Sequence, residues 1–546
     1  MGKNKSFYIL YQVLVLILII SACDSDSKKS KEFLIFKYNE SSGISSLDPA
    51  FARVQSAIWP VTQVFSCLVE LNNGNLLPKP LACKRWETLN DGLIYRFELK
   101  TNIYFHKHPC FGKDSTRFVE ANDWVYSFNR LVDPKLASPG SWIMQMVDSV
   151  YAENDSVLVF LLKEKFPAFT GMLSMAYCSV VPKEVVECLG SQWAYSPIGT
   201  GPFIFKKWLL NEKLVLRRNS NYFETDHNGH AMPYLDAISI RFLPDKQSAF
   251  LELIKGKIDF VSGLDPSYVN QVLTEEGKLS VEYSDFLELS ESYYLNTEYL
   301  GFALKPEAYP DGDKSPYLNP LVRRAINYAF DRTEMVKYLR RNAAFPAQSG
   351  FIPPALPGAY LKKMYTYSPD SVIALLNRAG YPNGTGLTEL KLFTTAPYQD
   401  LCEYIQASLS RFNIPIRIEL LPASALRQGM ANGKLSTFRG SWIADYPDAQ
   451  NYLSLFYSKN AAPNGPNYTF YSSDAFDSIY NKTLGIQNDS IRFGFYKNLD
   501  SLVVYNAPIV PLYYDKVYRF YQKGWKNLEP NAINSLQLKH TYKLPR

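Results

Sequence analysis

Pro197-Ile198-Gly199-Thr200-Gly201-Pro202-Phe203 is the stretch on which the reading of this 546-residue chain turns. Glycine accepts backbone angles that other residues avoid, so Gly199 and Gly201 can absorb rotation. A backbone hinge is one reading. A plain tight turn is the other, and the two are compatible. Outward from this stretch, strand-like runs and helices alternate throughout, which argues for mixed α/β domains.

Several elements are well marked. In Asn319-Pro320-Leu321 to Phe330, Asn319 suits a helix cap and Pro320 the first helical position, with Leu321, Val322, Ala325, Ile326 and Ala329 on one apolar stripe. Asp331 and Glu334 are spaced as a capping box for a second helix. Ser368-Pro369 opens another helix that Gly380 stops. Asp245 to Lys255 reads as a helix ending at Gly256, followed by a strand Ile258–Val261. Leu93 to Leu99 alternates as a strand.

At the start, Lys3 and Lys5 precede a nearly apolar run from Ile9 to Ile20 and then Ser21-Ala22-Cys23. About 12 residues fall short of the roughly 20 that span a bilayer. The ending resembles the lipobox of bacterial lipoproteins. It implies a signal peptide over 1–22, its removal on export, and lipidation of Cys23. Residues 23–30 read as a tether. No second hydrophobic stretch is long enough to span a membrane.

Composition narrows the function. The remaining chain is long enough for two or three domains. Net charge is +6, or +4 without Lys3 and Lys5, and no basic block suggests nucleic acid. Tyrosine (39) and phenylalanine (33) are abundant; tyrosine suits extracytoplasmic binding surfaces, although packing accounts for most of these rings. Six cysteines remain besides Cys23. Cys67–Cys83 and Cys178–Cys188 are close in sequence, but spacing leaves the connectivity open, with buried free thiols equally possible.

The order of segments resembles the family 5 extracellular solute-binding proteins of ABC transporters, which include dipeptide- and oligopeptide-binding proteins. The matches run collinearly: Leu47-Asp48-Pro49, Ala121-Asn122-Asp123-Trp124 with Arg130 to Pro134, Pro197 to Phe203, Asn296-Thr297, Val322 to Arg332, Ala379 to Gly384, and Pro511 to Tyr514. Glu120 stands where the family usually has a capping threonine. The resemblance implies an α/β, two-lobed periplasmic-binding-protein-like fold of type II, with three domains around a cleft. Domain I would comprise 31–65, 190–285 and 511–546, domain II 66–189, and domain III 286–510.

The resemblance also points to Phe438–Asp448 as a ligand wall. Asp445 falls where peptide-binding relatives meet the ligand's α-ammonium, and a carboxylate in a water-poor cleft suits that role. The backbone from Ser441 to Ile443 could pair with a peptide as an added strand. Arg439 could meet a ligand carboxylate or a protein acid. Trp442 could cover the ligand or pack between lobes. Arg53 and Gln55 are the polar candidates along a strip bordering the cleft, and Trp142 is an aromatic candidate that core burial would equally explain. Asp448 reads as a turn residue.

No HExxH, GxSxG or Walker A pattern occurs. His106, His108 and Cys110 could suggest metal, but the segment resembles a surface hairpin. No metal or cofactor is expected. The expectation is a monomeric, lipid-anchored, extracytoplasmic receptor, not an enzyme. It would pass short peptides to an ABC permease and its ATPase subunits. A receptor for an oligosaccharide or metal chelate, and an exported hydrolase, are the alternatives.

Overall fold

The computed structural model describes residues 33–264 and 268–544. The expected leader, tether and Cys23 lie outside these residues. Among the described residues, no helix is long and apolar enough to cross a membrane.

One 11-stranded sheet forms the spine. Its strands are β1 (Ile35–Asn39), β2 (Phe203–Leu209), β3 (Lys213–Arg218), β4 (Ala237–Arg241), β5 (Phe260–Ser262), β6 (Leu287–Phe302), β7 (Ala344–Pro346), β8 (Leu390–Thr394), β9 (Ile416–Leu420), β10 (Thr437–Ile443) and β11 (Ile509–Gln522). The order is β9-β8-β10-β6-β11-β5-β1-β4-β3-β2, with β7 beside β11. The sheet serves two lobes. The start of β6 pairs with the end of β11, next to β5, and the end of β6 pairs with the start of β11, next to β10. The expected boundary at residue 286 therefore falls at the foot of a strand shared by both lobes. Between the pairs Tyr293–Lys516 and Thr297–Tyr514 the register jumps, so three residues of β6 face one of β11.

The second lobe has a core on each face of the sheet. Leu300, Val510 and Leu512 point to one, and Tyr299 and Ile509 to the other, as strand alternation requires. The first lobe packs Phe36, Tyr38, Trp59 and Phe260 together. A four-stranded antiparallel sheet, Cys83–Leu89, Ile94–Leu99, Val157–Leu162 and Val147–Asn154, makes a separate core with the helix Ala121–Leu131.

The marked helices form where their capping residues dictate. Asn319 Oδ1 accepts the Leu321 N–H at 2.9 Å, and Val322, Ala325 and Ile326 are buried. Asp331 caps Arg332–Arg340, and Ser368 caps Pro369–Arg378. At Glu120, the Asp123 carboxylate accepts the Glu120 N–H at 2.9 Å, so the first turn is capped from within. The strand expected at Ile258–Val261 starts later, at Phe260. The N–H groups of Lys257 and Ile258 still bond Glu252 O, which prolongs the preceding helix's last turn.

The disulfide joins Cys110 to Cys188, across 78 residues. Neither pair close in sequence is bonded: Cys67, Cys83, Cys178 and Cys402 are buried free thiols. Chain proximity did not decide the pairing; the packing of residues 109–111 against the helix Lys183–Leu189 did. His106 and His108 do not join Cys110 at a metal site. His106 is buried, its ring hydrogen-bonded to Gly201 O at 2.9 Å, and burial pushes its pKa down to about 4. His108 Nδ1 accepts the Cys110 N–H.

Asp500 is wholly buried in the second lobe. It accepts the N–H groups of Phe351, Ile352 and Tyr360 at 2.8, 3.4 and 2.9 Å, which fastens the 350–360 loop. Burial outweighs these donors and pushes its carboxyl up to about 7.

Candidate functional site

A cavity of about 770 Å³ lies between the lobes. This is within the range that encloses a small ligand. One wall begins with the strip 50–56, which carries Arg53 and Gln55. Buried Asp48 caps the turn Pro49–Phe51 by accepting the Ala50 N–H, and pairs with Arg130 at 2.7 Å. That ion pair fixes the strip against the helix Ala121–Leu131. Arg53 and Gln55 extend from it into the cavity wall. Gln55 Oε1 accepts from Asn534 Nδ2 at 2.7 Å, and Trp59 Nε1 donates to Asn534 O at 2.8 Å. The C-terminal segment thus closes the floor.

The opposite wall is the end of β10 and the turn after it, Ile443 to Pro447. Asn451 organises this turn. Its Oδ1 accepts from Trp442 Nε1 at 2.8 Å and from the Asp445 N–H at 3.3 Å, and its Nδ2 donates to Asp445 Oδ2 at 3.4 Å. The Asp445 carboxylate stays accessible and, among the described residues, has no cationic partner. The surrounding walls still exclude enough water to raise its pKa from the ordinary carboxylate value, with Asn451 pulling the other way.

The backbone beside Asp445 is also open. Within β10, strand β8 pairs only with Thr437 and Phe438, so from Arg439 to Ile443 β10 has β6 on one side and no strand on the other among the described residues. The Ala444 N–H bonds Leu295 O. Antiparallel alternation then turns the peptide groups of Ser441 and Ile443 away from β6, toward the open edge.

Trp142 and Tyr446 meet across the gap, with ring centroids 6.5 Å apart and planes tilted by 30°, and Phe166 abuts Tyr446 edge-on at 5.5 Å. Four lining residues carry charge: Arg53, Glu70, Asp445 and Lys539. Two of these neutralise each other. Lys539 Nζ lies 2.7 Å from Glu70 and 2.6 Å from Glu224. Burial alone would lower the Lys539 pKa, but the two carboxylates more than offset it and raise the value.

Of the residues singled out from sequence, Asp445, Ile443, Trp142, Arg53 and Gln55 line the cavity together. Arg439, Ser441 and Trp442 do not. Arg439 is buried, ion-paired with Glu298, and lies 3.3 Å above the Tyr398 ring centroid. Ser441 Oγ donates to Asn296 Oδ1 at 2.9 Å, and Trp442 packs into the second-lobe core. Gly199 and Gly201 line no cavity wall. They pack against the backbone of Val64, where an added Cβ would lie 2.1 and 2.5 Å from its atoms, and bonds from Gly201 to Val64 and His106 to Gly199 tie the turn down. This packing is what a tight turn needs. Sequence reasoning missed Asn451, Glu70 and Lys539. Asn451 carries no motif, and the ion pair joins residues 469 positions apart.

This arrangement can hold a cationic group at Asp445 and an extended chain along β10. A family model described as "Bacterial extracellular solute-binding proteins, family 5 Middle" matches residues 78–464. Among curated relatives, heme-binding protein A of Haemophilus influenzae is 25% identical over 91% of this chain and 91% of its own. A probable di/tripeptide-binding protein of Pseudomonas aeruginosa is 26% identical over 82% and 83%. Among solved structures, HbpA2 from Haemophilus parasuis superposes with a TM-score of 0.82 at 22% identity, over 94% of this chain and all of that one.

Proposed function

The chain belongs to the bacterial extracellular solute-binding proteins of family 5, and from that premise we propose that it captures short peptides outside the cytoplasmic membrane and delivers them to an ABC permease. Asp445 anchors the peptide's ammonium end. The open edge of β10 takes its main chain as an added strand, which ignores side-chain identity and allows broad choice. Closure of the lobes follows, then docking and release, with ATP hydrolysed by the permease's partner subunits. The protein carries out no reaction of its own. Cys23 is the lipid-bearing residue that keeps the receptor, a monomer, at the membrane.

The observation that carries this reading is the Asp445 carboxylate: accessible from the cavity, beside an unpaired strand edge, and without a cation of its own among the described residues. Titration calorimetry with a panel of di-, tri- and tetrapeptides of varied side chains tests it. Binding of free peptides, and its loss on N-acetylation, is the expected result. A panel without a binder, or equal affinity for acetylated forms, overturns it. Mass spectrometry of ligands co-purified with the exported protein is expected to show peptides; an oligosaccharide or metal chelate in their place overturns the reading.

A further inference from the structure

We propose that the cavity binds its ligand as a zwitterion held from both lobes, with Arg53 taking the carboxylate end. The proposal rests on the peptide reading above and extends it to the opposite terminus.

The charges of the cavity wall point there. Glu70 and Lys539 belong to a cluster with Glu224 and Lys79, two acids and two bases, that brings no net charge to the site. Arg53 and Asp445 are left, one positive and one negative, from opposite lobes. Arg53 is exposed to the cavity, and its guanidinium has no hydrogen bond or ion pair among the described residues. Its side chain lines the same cavity as Tyr177, on the wall of the first lobe. Its backbone is fixed: the Ala52 N–H bonds Pro49 O, the Arg53 N–H bonds Phe51 O at 2.7 Å, and the Asp48–Arg130 pair holds the turn before it. A fixed base and a free planar donor suit bidentate recognition of a carboxylate.

A ligand with only one charge would reach one lobe's anchor and leave the other. A peptide with both termini free spans the gap and draws the lobes together. Each added residue moves the carboxylate by about 3.3–3.6 Å, so two fixed anchors make ligand length a selected property.

The test uses the tightest peptide of the panel, its C-terminal amide and its N-acetyl form, titrated into wild type, Arg53→Gln, Arg53→Lys and Asp445→Asn. Amidation is expected to weaken binding to wild type about tenfold, and by less than about twofold in Arg53→Gln, with Arg53→Lys in between. Acetylation should still penalise Arg53→Gln and lose its effect in Asp445→Asn. An equal amidation penalty in wild type and Arg53→Gln overturns the role of Arg53; with an acetylation penalty that depends on Asp445, the peptide reading survives. If no free peptide binds wild type, both fall together. Thermal unfolding of each variant confirms that the fold is retained.

Discussion

Arg439 and Asp445 sit six residues apart, at the two ends of one stretch, and their charges have opposite fates. Arg439 is in mid-strand, sealed among β6, β10 and Tyr398, with Glu298 as its partner. Asp445 is past the strand's end, where the chain turns into the cavity and only Asn451 reaches it. Burial follows the partner. A charge whose counter-ion is built into the chain can be sealed in; one left facing a cleft is free to meet a group that arrives from outside, as proposed for Asp445.

The largest test of this contrast is at the sealed end. Arg439→Met leaves Glu298, 2% exposed, without its partner and is expected to cost about 3–5 kcal/mol of stability, read by urea denaturation. The double variant with Glu298→Leu should recover most of that loss. A cost below about 1 kcal/mol would mean that the sealed pair is no different from a surface one.

Asp500 sharpens the contrast, because it is buried with amide donors and no cation. Its folded-state pKa, about 7, lies above that of an unfolded aspartate. Folding therefore favours the protonated form. Stability should fall as pH rises from near 4 to about 7, by up to about 1.4 kcal/mol per pH unit, and level off above. Asp500→Asn should remove that component of the slope. Chemical denaturation across this range, compared between the two proteins, decides the point; identical slopes refute it.

At the open end the effect moves from stability to affinity. Asp445→Ala is expected to weaken peptide binding tenfold or more, about 1.4 kcal/mol, and to change unfolding stability by less than about 0.5 kcal/mol. Acidification should weaken wild-type binding as the carboxyl, whose pKa is raised, takes up a proton, and the substituted protein should lack that dependence. A large stability loss on replacing Asp445 would make it a structural residue like Arg439.

Much of the architecture was readable because local signals and global packing agree. Asn319, Asp331 and Ser368 cap helices since their side chains bond the next residues' own backbone, a matter of local spacing. The cavity wall was only half legible. Asp445, Arg53 and Gln55 could be placed through a family pattern, whereas Arg439 is indistinguishable in sequence from a ligand-binding arginine until Glu298 appears beside it on the neighbouring strand. The disulfide shows the same limit. Cys110 and Cys188 meet because a turn packs on a helix, which no spacing rule contains.

The register jump in β6 has a mechanical consequence. Hydrogen bonding along the sheet resists sliding, so any change in the angle between the lobes has to be taken up as torsion in the two long strands they share. Residues 294–296 are where that ladder is interrupted, and Tyr294 and Leu295 belong to the cavity wall. An occupant of the cleft would therefore lie against the stretch of backbone where such torsion would concentrate, and the proposed closure of the lobes would be coupled to occupancy at that point.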